Sequence, residues 1–319
     1  MIRYRAFRNS DPPAIAAIWR SQPPSRNLLQ PMSPAVFEQH VLAKPFFDRH
    51  GLIVAEEDQR LVGYVHAAFG PHSSLEDIDC RIGLTNFLLV VPDVDWVSVA
   101  GELLRRSEAY LVARGAQSLY AGAVAPLSPY YLGLCGGSQQ RGVLRSDTRL
   151  IQLYEQNGYR PQDCCLMLQR NLIGFRPHVD RTQMSIRRGH LIEALFDPPT
   201  ASWWEACAIG EAERTCFFLT RKGQTAACGQ AVFWDMDPLA SSWGIRATGL
   251  LQIEIDPAIR QQGHATYLLG EALRQLQAQG TTLAEVQVPE SDPAALGLFR
   301  KLGFEEVDQS VVFQKNVRS

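Results

Sequence analysis

The sequence predicts an α+β protein in which one domain fold occurs twice. At roughly 100–200 residues per domain, its 319 residues are enough for two domains. A strand-like segment that ends at a proline, a helix that ends at a glycine and a second strand occur in both halves. Pro92 and Pro257 lie 165 residues apart, as do Gly115 and Gly280, and this fixed spacing indicates an internal duplication.

The second copy has the clearer pattern. Residues 250–255 alternate between apolar and polar side chains, which is typical of a strand, and Pro257 follows them. The polar turn 260–265 leads into a helix whose apolar side chains recur at helical spacing up to Gly280. A further strand is predicted at 283–288, where apolar side chains recur again.

The first copy shows the same elements in the same order. A strand is predicted over 87–91, a helix through 103–112 and a second strand over 118–124. Downstream, the offset between the copies falls to 145 residues, because Gly158 corresponds to Gly303. The two copies therefore differ in length after their second strand.

This change of offset places 20 additional residues in the first half, between Val124 and Asp147. They are rich in proline and glycine, which predicts a loop. We place the join between the copies near 173–178. The chain is therefore expected to form one domain at 1–175 and another at 176–319.

The composition excludes several classes of protein. The 31 lysines and arginines nearly balance the 33 aspartates and glutamates, so neither nucleic acid nor a membrane is expected as a partner. No apolar run approaches the roughly 18 residues of a membrane span, and residues 1–8 lack the apolar segment of a secretory signal. The seven cysteines form no CxxC pair, which favours reduced thiols in the cytoplasm over disulfides or zinc. Adjacent Cys164 and Cys165 are interpreted as small core residues rather than reactive thiols.

Two motifs of the second half, taken in order, point to a known family. Residues 253–265 form a strand, a proline and the turn Arg-Gln-Gln-Gly-His-Ala before a helix. A later pattern is formed by Asp292, Ala295, Leu298, Phe299, Gly303 and Phe304. Both motifs resemble those of the GCN5-related N-acetyltransferases, the GNAT family, over most of the second half and more faintly over the first. The tandem layout is also similar to that of the mycothiol synthases, although no residue assigns their substrate.

The resemblance implies two tandem GNAT folds, each a twisted, mixed and mostly antiparallel sheet flanked by helices. It implies acetyl-CoA as cosubstrate, an amine as acetyl acceptor and no metal. Strand 250–255 would splay from strand 283–288, and the pantetheine arm would enter that gap. The residues implied at acetyl-CoA are Ile253, Glu254, Ile255, Arg260, Gln261, Gln262, Gly263, His264, Ala265, Thr266, Asp292 and Phe299.

The turn before the second-half helix has the chemistry of an anion site. The first N–H groups of a helix have no internal partner, and together with the helix dipole they favour an anion such as a pyrophosphate. Gly263 lacks a Cβ that would obstruct the backbone, small Ala265 serves the same purpose, and Arg260 adds a donor. The glycine motifs of nicotinamide and ATP sites do not occur.

The catalytic groups are less clearly marked. Phe299 stands where the family usually has a tyrosine as proton donor, and phenylalanine cannot donate a proton. The candidate substitutes are Tyr267 and His264. Glu254 and Glu290 are candidates for the base, because a carboxylate near an apolar cleft can have a raised pKa, and we favour Glu254. A solvated carboxylate at a strand edge is the alternative for both, and Asp292 is expected to cap the following helix.

The first half departs from the acetyl-CoA motif. Asp95 stands at the Arg/Gln position, Ser98 replaces the glycine, and bulky Trp96 and Val97 crowd the turn. Since a carboxylate repels phosphate, this half is not expected to bind acetyl-CoA in the usual way. Its Tyr154 stands at the family's tyrosine position and is interpreted as structural.

The acceptor site is the least determined part. The second half has 42 residues over 187–229 against 58 over 5–63, so its cover is open or is completed by the first half. Trp203 and Trp204 either line this site or pack in the core. The glycine-rich stretch 133–138 has the composition of a phosphate cradle, but a surface loop or a substrate-shaping insertion is favoured.

We expect a small-molecule or peptide amine as the acceptor, and a homodimer is compatible with the sequence. An alternative function is that of a pseudoenzyme that binds acyl-CoA without turnover, which the phenylalanine at 299 supports.

Overall fold

The computed structural model describes residues 1–25, 28–209 and 212–317. In the first half the strands are β1 (Arg3–Ala6), β2 (Leu52–Glu57), β3 (Arg60–Pro71), β4 (Ile78–Val90), β5 (Ser118–Ala121), β6 (Val143–Leu144) and β7 (Arg160–Asn171). The helices are α1 (Pro12–Arg20), α2 (Pro34–Phe37), α3 (Trp96–Ala113) and α4 (Thr148–Gln156), with a turn of π-helix at Glu38–Leu42 after α2.

The second half repeats this succession in a shorter form. Its strands are β8 (His190–Phe196), β9 (Arg214–Arg221), β10 (Ala227–Asp235), β11 (Ala247–Ile255), β12 (Leu283–Pro289) and β13 (Glu305–Asn316). Its helices are α5 (Arg181–Gly189), α6 (Trp203–Ile209), α7 (Asp237–Ser241), α8 (His264–Ala278) and α9 (Pro293–Lys301), with a 3₁₀ turn at Pro257–Ile259.

The strands of both halves form one sheet. Their order is β1-β2-β3-β4-β5-β13-β7-β12-β11-β10-β9-β8, and β6 pairs with β13 beside this path. The pairs β4 with β5 and β11 with β12 are parallel, and the other neighbours are antiparallel. This mixed, mostly antiparallel sheet flanked by helices confirms the predicted fold class.

The two halves exchange their last strands. β7, from the first half, pairs with β12 from Leu283 to Pro289. β13, from the second half, lies between β5 and β7. The predicted boundary after residue 175 lies just beyond β7, yet the sheet continues across it. The division at that point stays a prediction about the chain, while each half's sheet is completed by a strand of the other.

Helix α8 shows why the duplicated pattern has a helical period. The apolar side chains that recur along it are buried in the core of the second half, and they are Leu268, Leu269, Ala272, Leu273 and Leu276. Full burial of one such leucine stabilises the fold by about 1.5–3 kcal/mol. The helix ends at Ala278, and Gly280 beyond it has a left-handed φ of 99°.

One predicted strand is shorter than expected. The strand predicted over 118–124 ends at Ala121, because Gly122 turns the chain with a φ of 78°. A Cβ at Gly122 would lie 2.8 Å from the backbone of Gly142, so the close approach of these two segments needs glycine. Among the described residues, no helix is both long and apolar enough to cross a membrane.

Candidate active site

The candidate site lies where strands β11 and β12 diverge. They pair in parallel at Ala247–Gly249, and beyond Gly249 strand β11 stays paired with β10 on its other side. A bulge at Leu251 falls in this stretch, since Val232 faces Gln252 and Phe233 faces Leu250. The splay over 250–255 that the resemblance implied is therefore present.

The turn after β11 leaves the start of helix α8 without a side-chain cap. Gly263 is the residue before the helix, its φ is 89°, and no described side chain accepts a hydrogen bond from the first turn at this position. A Cβ on Gly263 would lie 3.0 Å from Nε2 of Gln183 and 3.1 Å from Cγ2 of Thr182. Glycine is therefore required both by the left-handed backbone and by helix α5, which packs against the turn.

The other side chains of the turn fold back onto it. Arg260 donates from Nε to the carbonyl of Ile255 at 2.9 Å, and Gln262 donates to the carbonyl of Ala258 at 3.1 Å. Both side chains are exposed, so the rest of the Arg260 guanidinium faces solvent beside the helix start. Gln261 also has a left-handed φ, of 58°. This arrangement presents backbone N–H groups and one cation to solvent, which suits a phosphate group.

His264 points away from the gap. Its ring is buried, its Nδ1 lies 3.2 Å from the carbonyl oxygen of Ile259, and its edge meets His190 with ring centres 5.0 Å apart. Burial, and then the neighbouring His190, lower the pKa of His264. Tyr267 is half-buried on α8, and burial raises its pKa. Neither ring is placed at the narrow end of the gap, where a substitute proton donor is needed.

The later motif forms the start and the buried face of helix α9. The carboxylate of Asp292 accepts a hydrogen bond from the N–H of Ala295 at 2.9 Å, which is the capping role expected for it. Thr266 and Phe299 are both buried, and the ring of Phe299 packs edge-on against Phe304 at 5.3 Å. Phe299 is thus a core residue of the second half.

Neither candidate base lies in an apolar cleft. Glu254 is exposed on β11, and its carboxylate accepts hydrogen bonds from Gln230 at 3.0 Å and Gln252 at 2.7 Å. Glu290 is exposed after β12, and its N–H donates to the carbonyl of Cys164. The desolvation that motivated both candidates is absent at these two residues, so Glu254 is a solvated carboxylate held by two amides.

Glu254 belongs to a row of side chains across the open face of the sheet. Register pairs Glu254 with Gln230, Gln230 with Phe218, and Phe218 with Glu193, and residues paired directly across strands share a face. The row therefore places a carboxylate at the mouth of the gap and another at the outer strand β8, with an aromatic ring between them.

The sequence reasoning missed the residues that close the narrow end of the gap. They belong to the 20-residue insertion of the first half. Gln139 donates from Nε2 to the carbonyl of Leu251 at 2.7 Å, and the N–H of Ser138 donates to the buried carboxylate of Glu285 at 2.5 Å. We name residues 136–140 the apex loop, because it lies at the apex of the gap in the other half.

The apex loop is held by further contacts. Gln287 donates to the carbonyl groups of Gly136 at 2.6 Å and of Gln139 at 2.5 Å, and Trp234 donates to the carbonyl of Ser138 at 2.9 Å. Gly249 leaves room for the loop, since a Cβ there would lie 2.7 Å from the Ser138 Cβ. The loop is therefore a wall of the second-half site. Its N–H and carbonyl groups are engaged with protein, and this disfavours the phosphate-cradle interpretation of 133–138.

The corresponding turn of the first half is capped by its own carboxylate. Asp95 precedes helix α3, and its side chain accepts a hydrogen bond from the N–H of Ser98 at 3.3 Å. The guanidinium of Arg149 lies over the ring of Trp96, with 6.0 Å between Cζ and the ring centre. A carboxylate thus takes the place at α3 that the turn of α8 leaves open.

The remaining aromatic residues of interest pack in the interior or on the surface. Tyr154 is buried edge-on to Tyr159 at 5.1 Å, and burial raises its pKa, in agreement with a structural role. Trp204 is buried between the halves, where it stacks on Phe46 at 5.5 Å, while Trp203 is exposed. Trp204 therefore joins helix α6 to the first half rather than lining the gap.

Sequence comparison places a known domain over the site just described. The sequence model of the acetyltransferase (GNAT) family matches residues 183–304. This range includes the splayed strands, the uncapped turn and helix α9. No curated protein sequence matches the chain significantly.

Solved structures share the fold over the whole chain. A tandem GNAT protein from the clavulanic acid biosynthesis pathway has a TM-score of 0.68 at 12% identity, with 100% of each chain covered. A GCN5-related N-acetyltransferase from Sphaerobacter thermophilus has a TM-score of 0.64 at 15% identity, covering 100% of this chain and 96% of that one. A glucosamine N-acetyltransferase region of a fungal multi-domain GH3 β-N-acetylglucosaminidase has a TM-score of 0.74 at 14% identity, covering 99% of this chain and 38% of that one. At such identities the likeness shows the fold.

Proposed function

Because the chain is a tandem member of the acetyltransferase (GNAT) family, we propose that its second half transfers an acetyl group from acetyl-CoA to an amine. The observation that supports this most is the contrast between the two turns. Helix α8 begins at a glycine with no side-chain cap, whereas helix α3 begins at Asp95, whose carboxylate occupies the helix start. An anion is therefore favoured at α8 and repelled at α3.

The residues present fit acetyl-CoA as cosubstrate. The N–H groups from Gly263 to Thr266 and the guanidinium of Arg260 would hold its pyrophosphate. The open edge of β11 would pair with its pantetheine arm through backbone groups at Ile253 and Ile255. When bound, acetyl-CoA supplies an acetyl group already activated as a thioester.

The protein's own contribution is to receive and position the amine. The face that carries Glu193, Phe218 and Glu254 is acidic and partly apolar, which favours a cationic amine with an apolar body. The amine must lose a proton before it attacks, and the Glu254 carboxylate at the mouth of the gap would accept that proton. With phenylalanine at 299, the proton for the departing thiolate would come from water.

Replacing Glu254 with glutamine is expected to lower thiol release from acetyl-CoA by about 10²-fold with an amine acceptor, because a positioned base contributes about this much. Coenzyme A binding measured by calorimetry should stay unchanged. The measurement is a thiol-release assay over a panel of small amines and amine-bearing peptides.

Glu193→Gln provides the matched control for Glu254→Gln. It removes the same charge from the same row, but three strands farther out, about 14 Å away at 4.7–4.9 Å per strand. We expect its turnover to stay within about twofold of the unmodified protein, since surface substitutions away from a site have small effects. Equal turnover of Glu254→Gln and the unmodified protein would remove Glu254 from the reaction.

The apex loop is proposed to set the length of the acyl group. Gln139 lies at Leu251, two residues beyond the last β11–β12 pair, where an acyl group on an arm paired at Ile253 and Ile255 would end. Gln139→Ala removes this side chain but keeps the backbone bonds from Gln287 that hold the loop. We expect the rate with butanoyl-CoA relative to acetyl-CoA to rise about tenfold, since each added methylene in a pocket is worth about 1–3 kcal/mol.

Gln224→Ala, in the exposed turn between β9 and β10, is the control for Gln139→Ala, and its ratio of rates should not change. An unchanged ratio in Gln139→Ala would show that another part of the molecule limits the acyl group. The assay is the same thiol-release measurement with the two acyl donors at saturating amine.

A second candidate function is that of an acyl-CoA-binding protein without turnover. It is favoured by the phenylalanine at 299, by the exposure of Glu254 and by the tightly held apex loop. The two candidates differ in the same assay. Binding of coenzyme A without thiol release for any amine of the panel would select the second.

A further inference from the structure

A cavity of about 600 Å³ lies in the first half, away from the site proposed for acetyl transfer. It occupies the place where β4 and β5 diverge, since these strands pair from Ile82 to Thr85 and separate beyond. The residues 86–90 of β4 form one side, and helix α4 with Tyr154 forms another. This volume lies within the usual range of about 300–1,000 Å³ for small-molecule sites.

The cavity contains a buried amide without a partner. Asn86 is 1% exposed, and among the residues that the structure describes neither its Nδ2 nor its Oδ1 has a hydrogen-bond partner. Asn86 is the bulge residue of β4, because His66 faces Phe87 and Ala67 faces Thr85. Its side chain lines the cavity. Buried polar groups are nearly always hydrogen-bonded, so an unpaired donor and acceptor at a cavity wall point to a ligand.

The other half shows that this amide is not needed by the fold. Leu251 lies 165 residues after Asn86 and is the bulge residue of β11, so the same backbone irregularity accepts an apolar side chain. Retaining asparagine at the bulge of β4 therefore has a cost that the fold does not require.

The mouth of the cavity disfavours a phosphate-bearing ligand. Asp95 caps helix α3, and Asp147, whose carboxylate accepts a hydrogen bond from the N–H of Leu150, lies beside it on the cavity wall. Arg149 is the cation that faces them, and its guanidinium is stacked on Trp96. Two carboxylates against one engaged guanidinium favour an uncharged ligand over an anion.

We propose that this cavity binds an uncharged small molecule that has a carboxamide beside an apolar body. The carboxamide would accept a hydrogen bond from Nδ2 of Asn86 and donate one to its Oδ1. The apolar body would lie against Leu88, Val90 and Val143, which are buried and line the cavity. This site is independent of the acetyl-transfer proposal, because it involves neither β11 nor helix α8.

The test uses hexanamide as the probe and the full chain. Saturation-transfer NMR should show hexanamide bound, and the affinity should fall at least about tenfold in Asn86→Leu, because two hydrogen bonds in a buried site are lost. Methyl hexanoate, which cannot donate, and hexanoate, which is charged, should bind at least about fivefold more weakly than hexanamide to the unmodified chain.

Thermal unfolding provides a readout that a packing role for Asn86 would move the other way. Without probe, Asn86→Leu should unfold at the same or a higher temperature, because it removes an unpaired buried amide and reproduces the residue of the other half. A lower unfolding temperature with unchanged hexanamide binding would overturn the proposal. So would the absence of hexanamide binding, equal binding of methyl hexanoate, or displacement of hexanamide by coenzyme A in a Gly263→Asp chain.

Discussion

Gly263→Asp is expected to weaken coenzyme A binding about a hundredfold, because it puts a carboxylate where the pyrophosphate would meet the start of helix α8. The substitution gives the second half the charge that Asp95 already gives the first. Calorimetric titration with coenzyme A measures the effect. Circular dichroism of the variant establishes that helix α8 is retained.

Gly263→Asn separates charge from shape in this experiment. Asparagine has the same size as aspartate, meets the same Gln183 and Thr182 atoms and bears the same strain at a φ of 89°. Both variants should lose some affinity through crowding, but aspartate should lose about tenfold more than asparagine, the part due to the full charge. Equal affinities of the two variants would show that the turn does not hold the pyrophosphate.

Separating the chain after residue 175 is expected to give two fragments that do not fold alone. Fragment 1–175 lacks β13, which lies between β5 and β7, and fragment 176–319 lacks β7, which pairs with β12. Each fragment would keep exposed strand edges and an uncovered apolar face, which favours aggregation. Size-exclusion chromatography and circular dichroism of the separate fragments measure the effect.

Co-expression of the two fragments is the control for this prediction. The complementary strands are then both present, so a soluble one-to-one complex with the sheet of the intact chain should form. Coenzyme A binding should return with the complex, because the turn at Gly263 and strand β11 are restored. A fragment 176–319 that unfolds cooperatively by itself would show that β7 is dispensable for the second half.

Much of the local structure follows from the sequence alone. The period of the apolar residues predicts α8, since those side chains pack on one face, and the strand before it is predicted by its alternation. The proline and glycine that end these elements act locally. Asp95 and Asp292 are likewise predicted to act at helix starts, because an N-cap bond spans three residues.

The sequence overestimated the catalytic carboxylates. A glutamate on a predicted strand near a predicted cleft has the composition of a base, but its burial depends on what covers that strand. The cover of the second half is the short helix α6, which packs on the first half through Trp204 and leaves Glu254 exposed. Exposure is a property of the whole fold, so neither periodicity nor spacing could give it.

The sequence by itself determined that one fold is used twice, that the second copy keeps the glycine turn and that the first copy has a carboxylate there. The tertiary structure alone decided that the copies exchange their last strands and that the apex loop closes the gap in the other half. The bond from Gln139 to Leu251 joins residues 112 positions apart. Patterns along a chain report the burial of neighbouring residues, whereas contacts between distant segments depend on how the packed elements meet.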